Sequence, residues 1–180
     1  MSWRNTAISY GLVSKVLHWL LFLLVVSMIV GALSTEDMPK GPEKLQLVLL
    51  HKSLGTLILL LALARLLWRW ANPVPSQPVG TPLWQRAAAG LTHYGLYLLL
   101  LAQPISGILM SQADGRPVVF FGLFELPQFV APNEDLGDLF DTAHGSIWIA
   151  LTVLTLIHVA AACYHHWWRK DDVLRRMTTG

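Results

Sequence analysis

The chain has 180 residues, of which 54% are hydrophobic and only 13% charged, with a formal net charge of +2 and a mean hydropathy of +0.49. A water-soluble domain carries roughly twice that charged fraction, so a soluble globular fold is excluded and a nucleic-acid partner with it. The single Cys163 excludes an internal disulfide and a cysteine zinc site.

Four apolar runs follow one another, each long enough to cross a bilayer. The first, Val16–Leu33, carries His18 just after Lys15 and lacks the small-residue cleavage pattern of a removable signal. A short turn, "STEDMPKGPEK", leads into the second, Leu45–Ala64, which holds His51 and Gly55 and runs on to Arg65 and Arg69. "ANPVPSQPVGTP" is a proline-rich link too irregular for a helix. The third run, Ala87–Met110, contains His93. A longer connection, "QADGRPVVFFGLFELPQFVAPNEDLGD", holds four phenylalanines. It reads as a segment lying against the membrane surface, as interfacial aromatics do, or as a lid or docking surface for an electron donor. The fourth run, Thr142–Trp168, carries His144 and His158 and ends on His165, His166, Trp167 and Trp168. The expected fold is an all-α membrane protein, one four-transmembrane-helix bundle over residues 1–180.

Charge orients the bundle. The N-terminus, the Arg65–Arg86 connection and the C-terminal tail together carry nine cations against two carboxylates, a balance of +7. The other two connections carry four cations against nine carboxylates, a balance of −5. Positive-inside bias places both termini in the cytoplasm, which suits an even number of spans.

Histidine inside an apolar helix is costly and rare, yet five are spread over the four runs. Alone, such a residue reads as a satisfied interhelical hydrogen bond; a set at matched depths reads as ligation. His144 and His158 are fourteen residues apart. At 100° per residue they share a face and stand roughly 21 Å apart along the axis. His51 lies at the outer depth of His144, while His18 and His93 both lie in the inner half with His158. Two ligands per site, with no carboxylate or cysteine nearby, do not suit structural zinc, which takes four. They suit haem iron, held equatorially by its macrocycle and axially by the protein. No C-x-x-C-H is present for covalent attachment, so two haem b groups are expected. Gly31, Gly55 and Gly145 are small enough to let a flat macrocycle approach, or to let helices pack. Arg65, fourteen residues after His51, lies on its face at inner depth. It, or Arg69, can pair with haem propionates or act as a positive-inside anchor.

The chain resembles the bacterial cytochrome b561 family, small di-haem membrane proteins related to the cytochrome b subunits of hydrogenases and formate dehydrogenases. The resemblance rests on an ordered set: "KVLHWLLFLL", "LHKSLGTLILLLALARLLWRW", "GLTHYGLYLLLLAQPISGILMS" and "AHGSIWIALTVLTLIHVAAACYHHWWRKDDVLRRM". It implies that His18 and His158 hold the inner haem and His51 and His144 the outer one, in the bacterial inner membrane. Depth alone leaves His93 a rival to His18, because Lys15 suggests that His18 lies close to the inner surface. Under the family assignment, His93 is left for proton handling or quinone binding, with Arg69, His165 and His166 the other quinone-site candidates.

The family also implies the function: electrons pass from a periplasmic donor, superoxide among the possibilities, through two haems to ubiquinone. An alternative is a membrane-anchor cytochrome b subunit of a larger dehydrogenase or hydrogenase. A histidine-lined metal transporter fits less well, since the spans lack carboxylates. A net −5 on the outer connections would not steer an anion, so superoxide requires a local positive patch, and Lys52, beside His51, is its best candidate.

Overall fold

The computed structural model describes residues 2–78 and 80–179, with only the backbone described at Glu36; Val79 of the proline-rich link lies outside the described residues. Four long helices make the bundle: α1 (Leu12–Glu36), α2 (Pro42–Trp70), α3 (Leu83–Ala113) and α4 (Glu134–Cys163). Each is long and apolar enough to cross a membrane. Every one outruns its hydropathic stretch, because the water-facing turns at its ends are polar. Pro42 starts α2 in the first helical turn, where its missing N–H costs nothing.

The largest departure is at α4, which begins at Glu134 rather than Thr142. Asn133 caps it by accepting a hydrogen bond from Leu136 N at 2.9 Å, and Glu134 and Asp135 sit in the first turn, where the helix dipole favours negative charge. The acidic end of the long outer connection is therefore helix. The rest of that connection contains a small hairpin, β1 (Val119–Phe120) paired antiparallel with β2 (Phe124–Glu125). Its turn takes positive φ at Phe121 (47°) and Gly122 (73°), as a tight hairpin requires. Three polar side chains tie this loop to the helices. Lys52 Nζ donates to Ser111 Oγ (2.6 Å) and to the Pro117 carbonyl (3.3 Å). Ser53 Oγ bonds Val119 O and accepts from Phe121 N, and the Gln112 amide donates to Pro127 O and accepts from Phe129 N.

At the opposite end, α4 runs into a π-helical turn, Tyr164–Arg169, and the chain reverses at Lys170 (φ 51°) into a short α5 (Val173–Met177). Trp19 Nε1 donates to Met177 O at 2.9 Å, and Arg176 pairs with Asp172 at 2.9 Å and reaches Ser76 O, so the tail is folded back under the bundle. The Arg176 guanidinium beside Asp172 holds that carboxyl below the ordinary aspartate range.

Packing is uneven. Helix α3 packs along α4, α1 along α2 and α2 along α3, whereas neither α1 nor α2 makes comparable backbone contact with α4. The small apolar core, Leu21, Ile58 and Ala62 with Leu24, Met28 and Leu100 around it, belongs to α1, α2 and α3. On α4 only Gly137 and Leu151 are buried. What reaches across from α1 and α2 to α4 is histidine.

Candidate functional site

The intramembrane histidines gather at two levels. At the outer level, His51 of α2 and His144 of α4 face each other with ring centroids 6.3 Å apart. At the inner level, His18 of α1 lies 6.0 Å from His158 of α4, and His93 of α3 lies 5.4 Å from the same His158. The one helical face shared by His144 and His158 thus supplies both levels. Lys15 is turned in and only 6% exposed, and His18, three residues on, meets His158 despite that neighbour.

Iron bound by two imidazoles has nitrogens about 2 Å away on either side. Adding roughly 1 Å from each nitrogen to its ring centre calls for centroids about 6 Å apart. The 6.0 and 6.3 Å pairs meet that span. The 5.4 Å pair is shorter, although all three pairs meet edge to face. Hydrogen bonding gives a second test. Among the described residues, His144 alone of the five has hydrogen bonds to its ring nitrogens. Satisfied interhelical bonding therefore does not account for His18, His51, His93 and His158, and an unpaired imidazole at this depth is costly. Ligation removes that cost.

His144 is held for such a role. Its Nδ1 lies 3.1 Å from the Gln103 carbonyl and 3.1 Å from Ser106 Oγ. Donation from Nδ1–H to the carbonyl leaves Nε2 as the acceptor nitrogen and orients the ring as metal-bound histidines are oriented. The Gln103 amide nitrogen approaches that Nε2 at 3.0 Å, while Gln103 Oε1 is buried without a partner, so one end of this amide is unsecured. Gly107 makes room for the ring, since a Cβ there would stand 2.9 Å from His144 Cε1. At Gly31 and Gly145 a Cβ would meet nothing within 4 Å, and at Gly55 it would meet only Met28 Cε at 3.8 Å. These positions are open on the side where a side chain would project, and the paired histidines are the residues that would hold a haem.

The cationic side of the inner level is built on α2. Arg65 donates from Nε to Tyr97 Oη (3.2 Å) and from Nη1 to the Ser14 carbonyl (2.9 Å). Arg69 lies over the Tyr97 ring, 5.8 Å from its centroid. Both line a polar cleft with Asn5, Tyr10, Trp68 and Tyr97, and among the described residues no carboxylate lines it. Trp68 Nε1 is buried there without a partner. The four quinone-site candidates do not converge. His93 sits against His158 and Arg69 on Tyr97, while His165 is bound to Asp171 at 2.6 Å and His166 is exposed beside Trp167. Lys52, expected to guide an anion, is half-buried and donates to Ser111 and Pro117, and Arg116 pairs with Asp114 at 3.0 Å.

Sequence reasoning missed Gln103, Ser106, Gly107, Ser14, Trp68 and Tyr97. A faint signal existed for two of them, since Ser14 and Tyr97 each stand one turn from an intramembrane histidine, His18 and His93.

The sequence of the family described as prokaryotic cytochrome b561 matches residues 9–180. Cytochrome b561 homolog 2 of Escherichia coli (strain K12) is 37% identical over 187 residues, covering 98% of this chain and 95% of the relative. Cytochrome b561 homolog 1 of the same strain is 33% identical, covering 89% and 92%. A Yersinia pestis protein named probable superoxide oxidase CybB is 32% identical, covering 89% and 90%.

Proposed function

The chain belongs to the prokaryotic cytochrome b561 family of haem-bearing membrane electron carriers, and from that premise we propose that it carries electrons across the inner membrane from a periplasmic donor to ubiquinone. The whole chain acts as one four-helix domain with both termini in the cytoplasm. His51 and His144 hold an outer haem b, and His18 and His158 an inner one. The observation that carries this reading is the meeting of two histidine pairs, at 6.3 and 6.0 Å, across helices that otherwise do not pack on one another.

Bound b haem supplies reversible one-electron chemistry at iron. The protein's own residues do the rest. Gln103 and Gly107 fix the tautomer and position of His144. The apolar walls of α1–α4 exclude water and keep the local dielectric low. Arg65 and Arg69 place positive charge at the inner level, where Arg65 would pair with a haem propionate and favour added negative charge. Quinone accepts electrons at this cationic end, near His93 and Arg69.

Superoxide is the donor favoured by the name of the Yersinia pestis relative. Arg116 is paired with Asp114, whereas Lys52 donates to the uncharged Ser111 and Pro117 oxygens and keeps its charge, so steering of superoxide falls to Lys52. A protein donor is favoured instead by the acidic start of α4, Glu134, Asp135 and Asp138, which suits a basic partner. Stopped-flow reduction of the purified protein separates the two. Superoxide should reduce it more slowly in Lys52→Gln, by a margin that shrinks as salt rises, and removal of the three carboxylates should leave that rate intact or faster. A dithionite-reduced spectrum lacking b-type bands would refute the whole reading.

A further inference from the structure

A buried donor without an acceptor stands beside the inner histidine level. Trp68 of α2 has its indole Nε1 shut away from solvent, with no hydrogen-bond partner among the described residues. A buried tryptophan N–H ordinarily finds an acceptor, as Trp19 does on the Met177 carbonyl. Around Trp68 the nearby acceptors are taken by other donors. The Ser14 carbonyl and Tyr97 Oη accept from Arg65, and Asn5 Oδ1 accepts from Gly11 N and Ser14 Oγ. Two further donors line the same cleft, the guanidiniums of Arg65 and Arg69, one turn before Trp68 and next to it.

Size and place narrow what the cleft accepts. Its room is about 10 Å³, roughly that of one water-sized group. That admits an oxygen at the end of an arm and not a quinone ring. Arg65 ties together Ser14, one turn from His18, and Tyr97, one turn from His93. Its charge acts on both His18 and His158. An oxygen reaching the cleft from that level meets two guanidiniums, which favour a negatively charged acceptor over a neutral one.

We infer that Trp68 is a positioning residue for the inner haem, its indole N–H donating to an oxygen of the propionate that Arg65 pairs with. The inference rests on the reading that His18 and His158 hold that haem. The indole does not touch iron. By holding the propionate's negative charge, its N–H makes an added electron at the same haem less unfavourable.

The test is redox titration of the full holoprotein, with haem content measured alongside. Trp68→Phe keeps an aromatic ring and removes the donor. It should shift the inner haem about threefold toward the oxidised form, roughly 30 mV for one electron, and leave the outer midpoint in place. Trp70→Phe, at an exposed position of the same helix, should shift neither. Reconstitution with haem dimethyl ester, whose propionates carry no charge, separates a propionate contact from packing. With that haem, the gap between Trp68→Phe and wild type should close. If Trp68→Phe fails to take up haem, benzothienylalanine at position 68 keeps the indole shape with sulfur in place of N–H and should give the same shift. An unchanged inner potential in a two-haem protein, or an equal shift with the esterified haem, overturns the inference. A wild-type protein with no inner haem refutes instead the reading beneath it.

Discussion

The outer and inner histidine levels are built differently. The outer one has two imidazoles and a prepared frame: a carbonyl and a hydroxyl on His144 Nδ1, and a glycine at 107 cut to the ring. The hairpin loop, tied down through Lys52 and Ser53, closes over its side of the bundle. The inner level has three imidazoles, His18 and His93 beside His158, no hydrogen bond to any of them among the described residues, and two arginines close by. Fixed orientation characterises one level and positive charge the other. A transmembrane electron path benefits from that asymmetry, since an electron moves toward the level where its charge is better stabilised.

The sharpest way to break the comparison is to remove single imidazoles. His144→Ala or His51→Ala should remove about half of the haem and spare the inner potential; His158→Ala or His18→Ala should do the reverse. Pyridine haemochrome assays with redox titration read both, and a variant that loses all haem or none refutes two independent levels. His93 makes the distinction finer. Its 5.4 Å approach to His158 predicts that His93→Ala keeps both haems while slowing quinone reduction; loss of the inner haem would exchange the roles of His93 and His18.

Framing is tested at Gly107. A Cβ there overlaps the His144 ring, so Gly107→Ala should destabilise the outer level by about 1–3 kcal/mol through overpacking and leave the inner spectrum unchanged. Charge is tested at Arg65. Arg65→Gln should lower the inner midpoint potential by an amount on the order of 1 kcal/mol, or roughly 40 mV for one electron, with no shift of the outer one. The smallest effect concerns the folded-back tail. The Asp172 carboxyl is held below its ordinary value by Arg176, so its contribution is present above the ordinary aspartate pKa and is lost as pH falls through the lowered one. Limited proteolysis should therefore show the tail loosening only in acid below about pH 4, and Arg176→Gln should abolish that dependence.

Much of this architecture is legible in the linear chain. Uncharged runs of about twenty residues leave the backbone no option in lipid except a helix, so the four spans follow from composition alone. The fourteen-residue interval between His144 and His158 is four turns of helix, so one face with two levels follows from periodicity. Hydropathy could not reveal that α4 begins at Glu134, because its first two turns stand in water, where acidic side chains cost nothing and the Asn133 cap supplies the start signal.

The choice of partners belonged to the tertiary structure. Sequence places His18 and His93 at similar depth beside His158. Only the packing of α3 on α4, with α1 held off across the gap, sets His93 against His158 at 5.4 Å and His18 at 6.0 Å. The same packing brings Gln103, Ser106 and Gly107 of α3 to His144, and it commits Lys52 to Ser111, 59 positions away. Local rules see neighbours three or four residues apart on one helix. Contacts between helices depend on crossing and rotation, which are decided by how whole faces fit together.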